Sequence, residues 1–157
     1  MKDIFICLVQ ELKECDLSVA TAESCTGGLL GKLITDVPGS SAVYPGGVIS
    51  YCSRIKHEIL GVDQNDLDTL GPVSEPVARQ MAEGARQVVG ADLGLGITGI
   101  AGPNSDETGR PVGLVYVSAS DGKATLVREY HFDGDRSTIR AQAAEAAAEL
   151  ALELLDH

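Results

Sequence analysis

A short apolar run, Leu17-Ser18-Val19-Ala20, gives way to Thr21-Ala22-Glu23-Ser24-Cys25-Thr26-Gly27-Gly28-Leu29-Leu30, after which a helical pattern continues to Asp36. A serine, a cysteine and a threonine therefore stand where a strand turns into a helix, beside two glycines. The first amides of a helix lack internal partners and carry partial positive charge. Such a place suits a nucleophile, a phosphate or a developing oxyanion. The segment alone does not rank these three.

The rest of the chain continues the alternation. Ile4, Leu8 and Leu12 are spaced for a helix over 3–14, and Gln10, Glu11 and Lys13 break the apolar run too early for a signal peptide. A strand is expected near 17–22, a helix near 26–36, a breaker at Val37-Pro38-Gly39-Ser40-Ser41, a strand near 46–52 and a short helix near 53–60. A polar loop then leads to Gly71-Pro72-Val73-Ser74, where Ser74 reads as an N-cap with Glu75 and Pro76 in the first turn. The helix it opens carries Val77, Met81, Ala85 and Val88 on one face. A strand near 92–98 runs into Gly99-Ile100-Ala101-Gly102-Pro103. Strands near 113–119 and 124–132 form a hairpin around Asp121-Gly122. The last helix starts at Asp135 and turns Ile139, Ala143, Ala146, Leu150 and Leu154 inward.

This order implies an α/β fold, a three-layer α/β/α sandwich with a mixed, mostly parallel sheet of about five strands, in one domain over 1–157. In open α/β sheets the ligand crevice lies beyond the carboxyl ends of parallel strands. Ser24 to Gly28, Tyr51 to Lys56 and Thr98 to Pro103 all fall at or past predicted strand ends. They converge on one crevice if those strands are parallel.

Composition narrows the function classes. A net charge of −11 argues against nucleic acid as a partner, because that binding needs a basic face. It leaves room for a phosphorylated small molecule, which needs one or two local cations and some amides. No apolar run is long enough to span a bilayer, so no membrane partner is expected. Cys7, Cys15, Cys25 and Cys52 form no Cys-x-x-Cys pair and read as reduced, partly buried thiols of a cytoplasmic chain, with Cys25 and Cys52 set apart because both adjoin candidate site residues. The acidic residues show no metal-ligand cluster, so neither a metal nor a cofactor is expected. A homo-oligomer, with a two-fold dimer the commonest form, is the expected assembly.

Ser24 needs a base to become a nucleophile. His57, His131 and His157 hold no recognisable triad position. Lys56 does: a lysine in a partly desolvated crevice loses pKa and serves as a neutral base, with Tyr51 as a bridge to Ser24. A solvated helix lysine and a half-buried strand tyrosine account for the same spacing. Gly27 and Gly28 either expose amides to an anion, together with Thr26, or serve close strand–helix packing. The turn Gly99, Ala101, Gly102 lacks the dinucleotide-binding spacing, and no P-loop lysine is present. Thr98 offers a hydroxyl at the strand end. Arg136 and Arg140 sit on one face at the start of the last helix, where cations oppose the dipole. They point to a bound anion or to surface pairing with Asp133 or Asp135.

Taken in order, Thr21 to Gly28, Val37 to Ser41, Gly47-Val48-Ile49-Ser50-Tyr51 with Lys56, Gly71-Pro72-Val73-Ser74-Glu75, Thr98 to Pro103 and Pro111-Val112-Gly113 resemble the CinA C-terminal domain family, the nicotinamide-nucleotide amidohydrolases. The resemblance covers about residues 5–155, and it is similar to the stand-alone form that lacks an N-terminal molybdopterin-binding-like domain. It implies hydrolysis of the carboxamide of nicotinamide mononucleotide to nicotinic acid mononucleotide and ammonia, in NAD recycling. It also implies a Ser-Tyr-Lys arrangement at Ser24, Tyr51 and Lys56, with Thr98 and an arginine of the last helix as further site residues. The chain departs from the family at Asn104-Ser105-Asp106-Glu107, where Asp-Gly-Gly is usual. Two other classes stay open: a non-catalytic nucleotide-binding or regulatory module, and an amidase for another small carboxamide.

Overall fold

In the computed structural model, which describes residues 2–156, the chain runs α1 (Lys2–Cys15), β1 (Val19–Glu23), α2 (Leu29–Thr35), a 3-10 turn (Ser40–Ala42), β2 (Gly46–Ile49), α3 (Ser53–Glu58) and α4 (Gln64–Leu70). It continues as α5 (Glu75–Val89), β3 (Leu93–Gly99), β4 (Leu114–Ser120), β5 (Thr125–His131) and α6 (Arg136–Leu155). The sheet order is β2-β1-β3-β4-β5. β1 lies parallel to both β2 and β3, while β4 is antiparallel to β3 and to β5. Only β4 therefore opposes the other strands. The sheet is mostly parallel by strand direction, and its ladders divide evenly between the two kinds.

The alternation Leu93-Gly94-Leu95-Gly96-Ile97 in β3 shows how the three layers form. Successive side chains on a strand point to opposite faces. Leu93, Leu95 and Ile97 join Phe5, Leu8, Leu12, Leu30, Ile139 and Leu150 in a core beneath α1, α2 and α6. The opposite face meets α5, whose Val77, Met81 and Ala85 pack with Ala20, Ala22, Leu60, Val62 and Leu67. Glycine is required on that face: a Cβ at Gly94 would come 2.0 Å from the Ala82 carbonyl oxygen. Small residues on both sides thus bring the α5 backbone against the sheet, and no rotamer change relieves a clash with backbone.

Several boundaries differ from the sequence reading. Residues 61–70 were expected as a polar loop, yet they hold α4, capped by Asp63 accepting from the Asp66 N–H at 3.0 Å and anchored by buried Leu67. α2 begins at Leu29 rather than 26, because Gly27 and Gly28 adopt positive φ. β2 ends at Ile49. Ser74 stands at the N-cap of α5, but its hydroxyl donates to the Gly71 carbonyl instead of capping. Val88 is 53% exposed and does not belong to the buried stripe of α5. The hairpin closes as expected, with Ser120 opposite Thr125 and the Asp121 carboxylate accepting from the Lys123 and Ala124 amides. Among the described residues no helix is long and apolar enough to cross a membrane.

Gly94→Val is expected to destabilise the fold by about 3 kcal/mol or more, since it overpacks a backbone contact that cannot yield. Urea unfolding monitored by circular dichroism measures this.

Candidate active site

The register of β2, β1 and β3 brings Ile49, Glu23 and Ile97 side by side, so the segments that follow each strand emerge together. They enclose a cavity of about 310 Å³ lined by Ser24, Cys25, Tyr51, Lys56, Thr98, Gly102 and Arg136, among others. The convergence expected from the sequence is therefore present, at the small end of the roughly 300–1,000 Å³ typical of ligand pockets.

Lys56 sits in α3 and folds back beneath the strand ends, with 1% of its surface exposed. Its Nζ lies 2.9 Å from Ser24 Oγ and 2.8 Å from the Ser50 carbonyl oxygen. Among the described residues no carboxylate pairs with it. Burial without a counter-ion disfavours the ammonium. The amine's pKa falls from 10.5 to about 8, with burial the main cause. A neutral amine has two N–H groups and one lone pair. One N–H serves the Ser50 carbonyl, and the lone pair is then free to accept the Ser24 hydroxyl. Cys25 is no rival nucleophile, because burial pushes its thiol up to about 11. Cys52 is exposed at the rim, its thiol held below the usual range by the Ile55 and Arg54 amides at the start of α3.

The residue that the sequence reading missed is Glu23. Its carboxylate is 2% exposed and takes the donors around the next turn. Oε1 accepts from Thr26 Oγ1 at 2.7 Å, Gly28 N at 3.2 Å and Leu30 N at 2.8 Å, while Oε2 accepts from Gly31 N at 3.0 Å. The mouth of α2 is thus filled by the chain's own carboxylate. Gly27 is also committed, since its N–H donates to the Ser24 carbonyl at 3.1 Å. The anion cradle expected of Thr26, Gly27 and Gly28 is corrected accordingly: the Thr26 hydroxyl and the Gly27 and Gly28 amides hold the turn, and none of the three residues lines the cavity. The signal was the one charged residue of the short strand, standing four residues before two glycines. At this turn the Cys25 N–H donates to no other residue.

The two arginines divide. Arg136 lines the cavity, donating from Nη2 to the Tyr51 hydroxyl at 3.0 Å and from Nη1 to the Gly102 carbonyl. Arg140 lies outside it, with Nε on the Cys25 carbonyl at 3.1 Å and Nη2 on the Thr26 carbonyl at 2.7 Å. Neither pairs with Asp133 or Asp135; Asp135 caps α6 through the Thr138 N–H. Tyr51 is 60% exposed and bonded to Arg136, so it does not bridge Lys56 and Ser24, which touch directly. Thr98 is buried at the cavity wall with its hydroxyl donating to the Pro72 carbonyl at 2.7 Å. Gly99, Ala101 and Gly102 line the same wall. In the departing loop the Asp106 carboxylate accepts from the Thr108 and Arg110 amides, so an aspartate organises the turn. His57 is bonded to the Val62 carbonyl and His131 to Glu129.

Between pH 8 and 10.5 the unfolded chain keeps a proton on Lys56 that the folded chain has released, so stability rises with pH across that window. At ~1.4 kcal/mol per pK unit the gain is roughly 3 kcal/mol. Urea unfolding at pH 7, 9 and 10.5 is expected to show this gain in the native chain relative to Lys56→Met, which lacks the group.

The family model for the CinA C-terminal domain matches residues 3–155. The chain is 52% identical to a CinA-like protein of Gloeothece citriformis over 112 residues, which are 71% of this chain and 27% of that protein. It is 44% identical to a putative competence-damage inducible protein of Desulforamulus reducens over 146 residues, 93% of this chain and 35% of that protein. The chain thus spans about a third of the length of these curated relatives. Its structure is similar to the competence/damage inducible protein CihA of Agrobacterium tumefaciens, with TM-score 0.93 and 35% identity over 99% of this chain and 95% of that one. It is also similar to a CinA superfamily protein of Klebsiella pneumoniae, with TM-score 0.96 and 29% identity over 99% and 98%.

Proposed function

The chain belongs to the CinA C-terminal domain family, and on that premise we propose that it is an amidohydrolase acting on the carboxamide of nicotinamide mononucleotide. The observation that carries this reading is the buried Lys56 amine, 2.9 Å from Ser24 Oγ, with burial lowering its pKa to about 8. A base near the working pH and in hydrogen-bond reach of a hydroxyl is what general-base activation of serine requires.

In this mechanism the neutral Lys56 takes the hydroxyl proton as Ser24 Oγ attacks the amide carbon. The oxyanion is met by the Cys25 N–H, which adjoins the nucleophile, lines the cavity and donates to no other residue. The C–N bond then breaks, and Lys56 returns its proton to the departing nitrogen, which leaves as ammonia. Water attacks the resulting ester while Lys56 again takes a proton. Nicotinic acid mononucleotide departs and Ser24 regains its hydrogen. The filled mouth of α2 moves the phosphate to the other cation at the cavity. Arg136 has guanidinium N–H groups beyond those on Gly102 and Tyr51, and the exposed Tyr51 hydroxyl stands beside them.

Ammonia release from nicotinamide mononucleotide tests the reading. Ser24→Ala is expected to lower turnover at least about 10³-fold while the fold is kept. In the native chain kcat/KM is expected to rise with pH through about 8 as Lys56 loses its proton. Nucleotide binding without ammonia release would favour a non-catalytic module. Equal rates with and without the 5′-phosphate would favour a different carboxamide.

A further inference from the structure

Arg140 lies outside the cavity, yet it grips two carbonyls of the turn that carries Ser24. We propose that Arg140 is a positioning residue that aims the Cys25 N–H at the oxyanion. The proposal rests on the hydrolytic reading above and concerns how the turn is held.

In a trans peptide the C=O and N–H point to opposite sides. Arg140 Nη2 fixes the Thr26 carbonyl, which turns the Gly27 N–H the other way. That N–H donates to the Ser24 carbonyl. The Ser24 carbonyl, so held, turns its own plane partner, the Cys25 N–H, away from the turn's interior. Arg140 Nε fixes the intervening plane through the Cys25 carbonyl. One guanidinium therefore holds two consecutive peptide planes directly and reaches a third through the Gly27 N–H. The other amides cannot serve: Gly28, Leu30 and Gly31 donate to Glu23, and Leu29 donates to the Thr26 carbonyl. Thr26 is fully buried and does not line the cavity, whereas Cys25 does.

Two features match this use. Gly27 has φ +57°, a conformation that favours glycine, and the position of its missing Cβ lies 3.4 Å from Arg140 Nη2, so the guanidinium packs directly against the turn. The fork is carried on a rigid base, because Ile139, Ala143 and Ala144 of α6 are buried in the main core. Lysine is a poor substitute, since a single ammonium lacks the planar fork that serves two carbonyls in fixed geometry.

The test compares the native chain with Arg140→Met and Arg140→Lys in two assays. The first is turnover of nicotinamide mononucleotide and of its thiocarboxamide, whose sulfur accepts hydrogen bonds weakly. The second is the rate at which a fluorophosphonate labels Ser24. Both variants are expected to lose about 10- to 100-fold in kcat with KM within about twofold. The amide-to-thioamide rate ratio is expected to shrink, and Ser24 labelling to slow by a similar factor. A general loss of packing would lower the melting temperature without changing that ratio. Native-like labelling and kcat in both variants would overturn the proposal. Should native protein label at Ser24 yet release no ammonia, the substrate reading fails and the labelling comparison still decides the role of Arg140.

Discussion

The desolvation of one amine organises this site. Lys56 is placed where an ammonium has no counter-ion and almost no water, so its neutral form is favoured beside Ser24. Its position follows from the sheet. The parallel pairing of β1 with β2 sets Glu23 against Ile49, and the Ser50 N–H donates to the Glu23 carbonyl at 2.7 Å. The Ser50 carbonyl that holds Lys56 is therefore fixed by the same ladder that fixes Ser24. α3 begins three residues later and returns Lys56 under both strand ends. Backbone pairing thus sets the dyad distance, with only Tyr51 and Cys52 between the paired Ser50 and α3.

The turn between β1 and α2 is held from two sides. Glu23 satisfies donors at the start of the helix, and Arg140 satisfies acceptors before it. Both are charged groups met by backbone dipoles instead of by an opposite ion, an arrangement that supports ionised side chains in poorly solvated places. The consequence reaches the ligand. An anion cannot use the mouth of α2, so Arg136 and Tyr51 become the cationic and polar corner of the cavity.

The sequence made the layers, the succession of elements along the chain and the convergence of three segments readable, because those rest on periodicity and on glycine and proline punctuation. Ser24 and Lys56 were readable as candidates, and the family resemblance raised them above the other polar residues. What stayed hidden depends on side-chain direction across elements far apart in the chain. A charge ending β1 sets Glu23 apart, but the local pattern does not state that its carboxylate turns back onto residues 26–31. The spacing of Arg136 and Arg140 suggested a shared role, yet one helical turn of rise separates a cavity wall from the underside of a turn. Tyr51 reads as a bridge because it stands five residues before Lys56 at a strand end, while the folded chain carries its hydroxyl outward to Arg136. α4 was overlooked because its seven residues offer a single buried apolar position, Leu67, too few for a periodic signal.

The central claim is that Lys56 is a neutral base in the folded chain at working pH. A titration of the five lysines by ¹³C NMR at Cε reads it without any substrate. One resonance is expected to titrate near pH 8, well below the ordinary lysine value of about 10.4, and to be missing in Lys56→Met. A Lys56 resonance titrating near that ordinary value would contradict it.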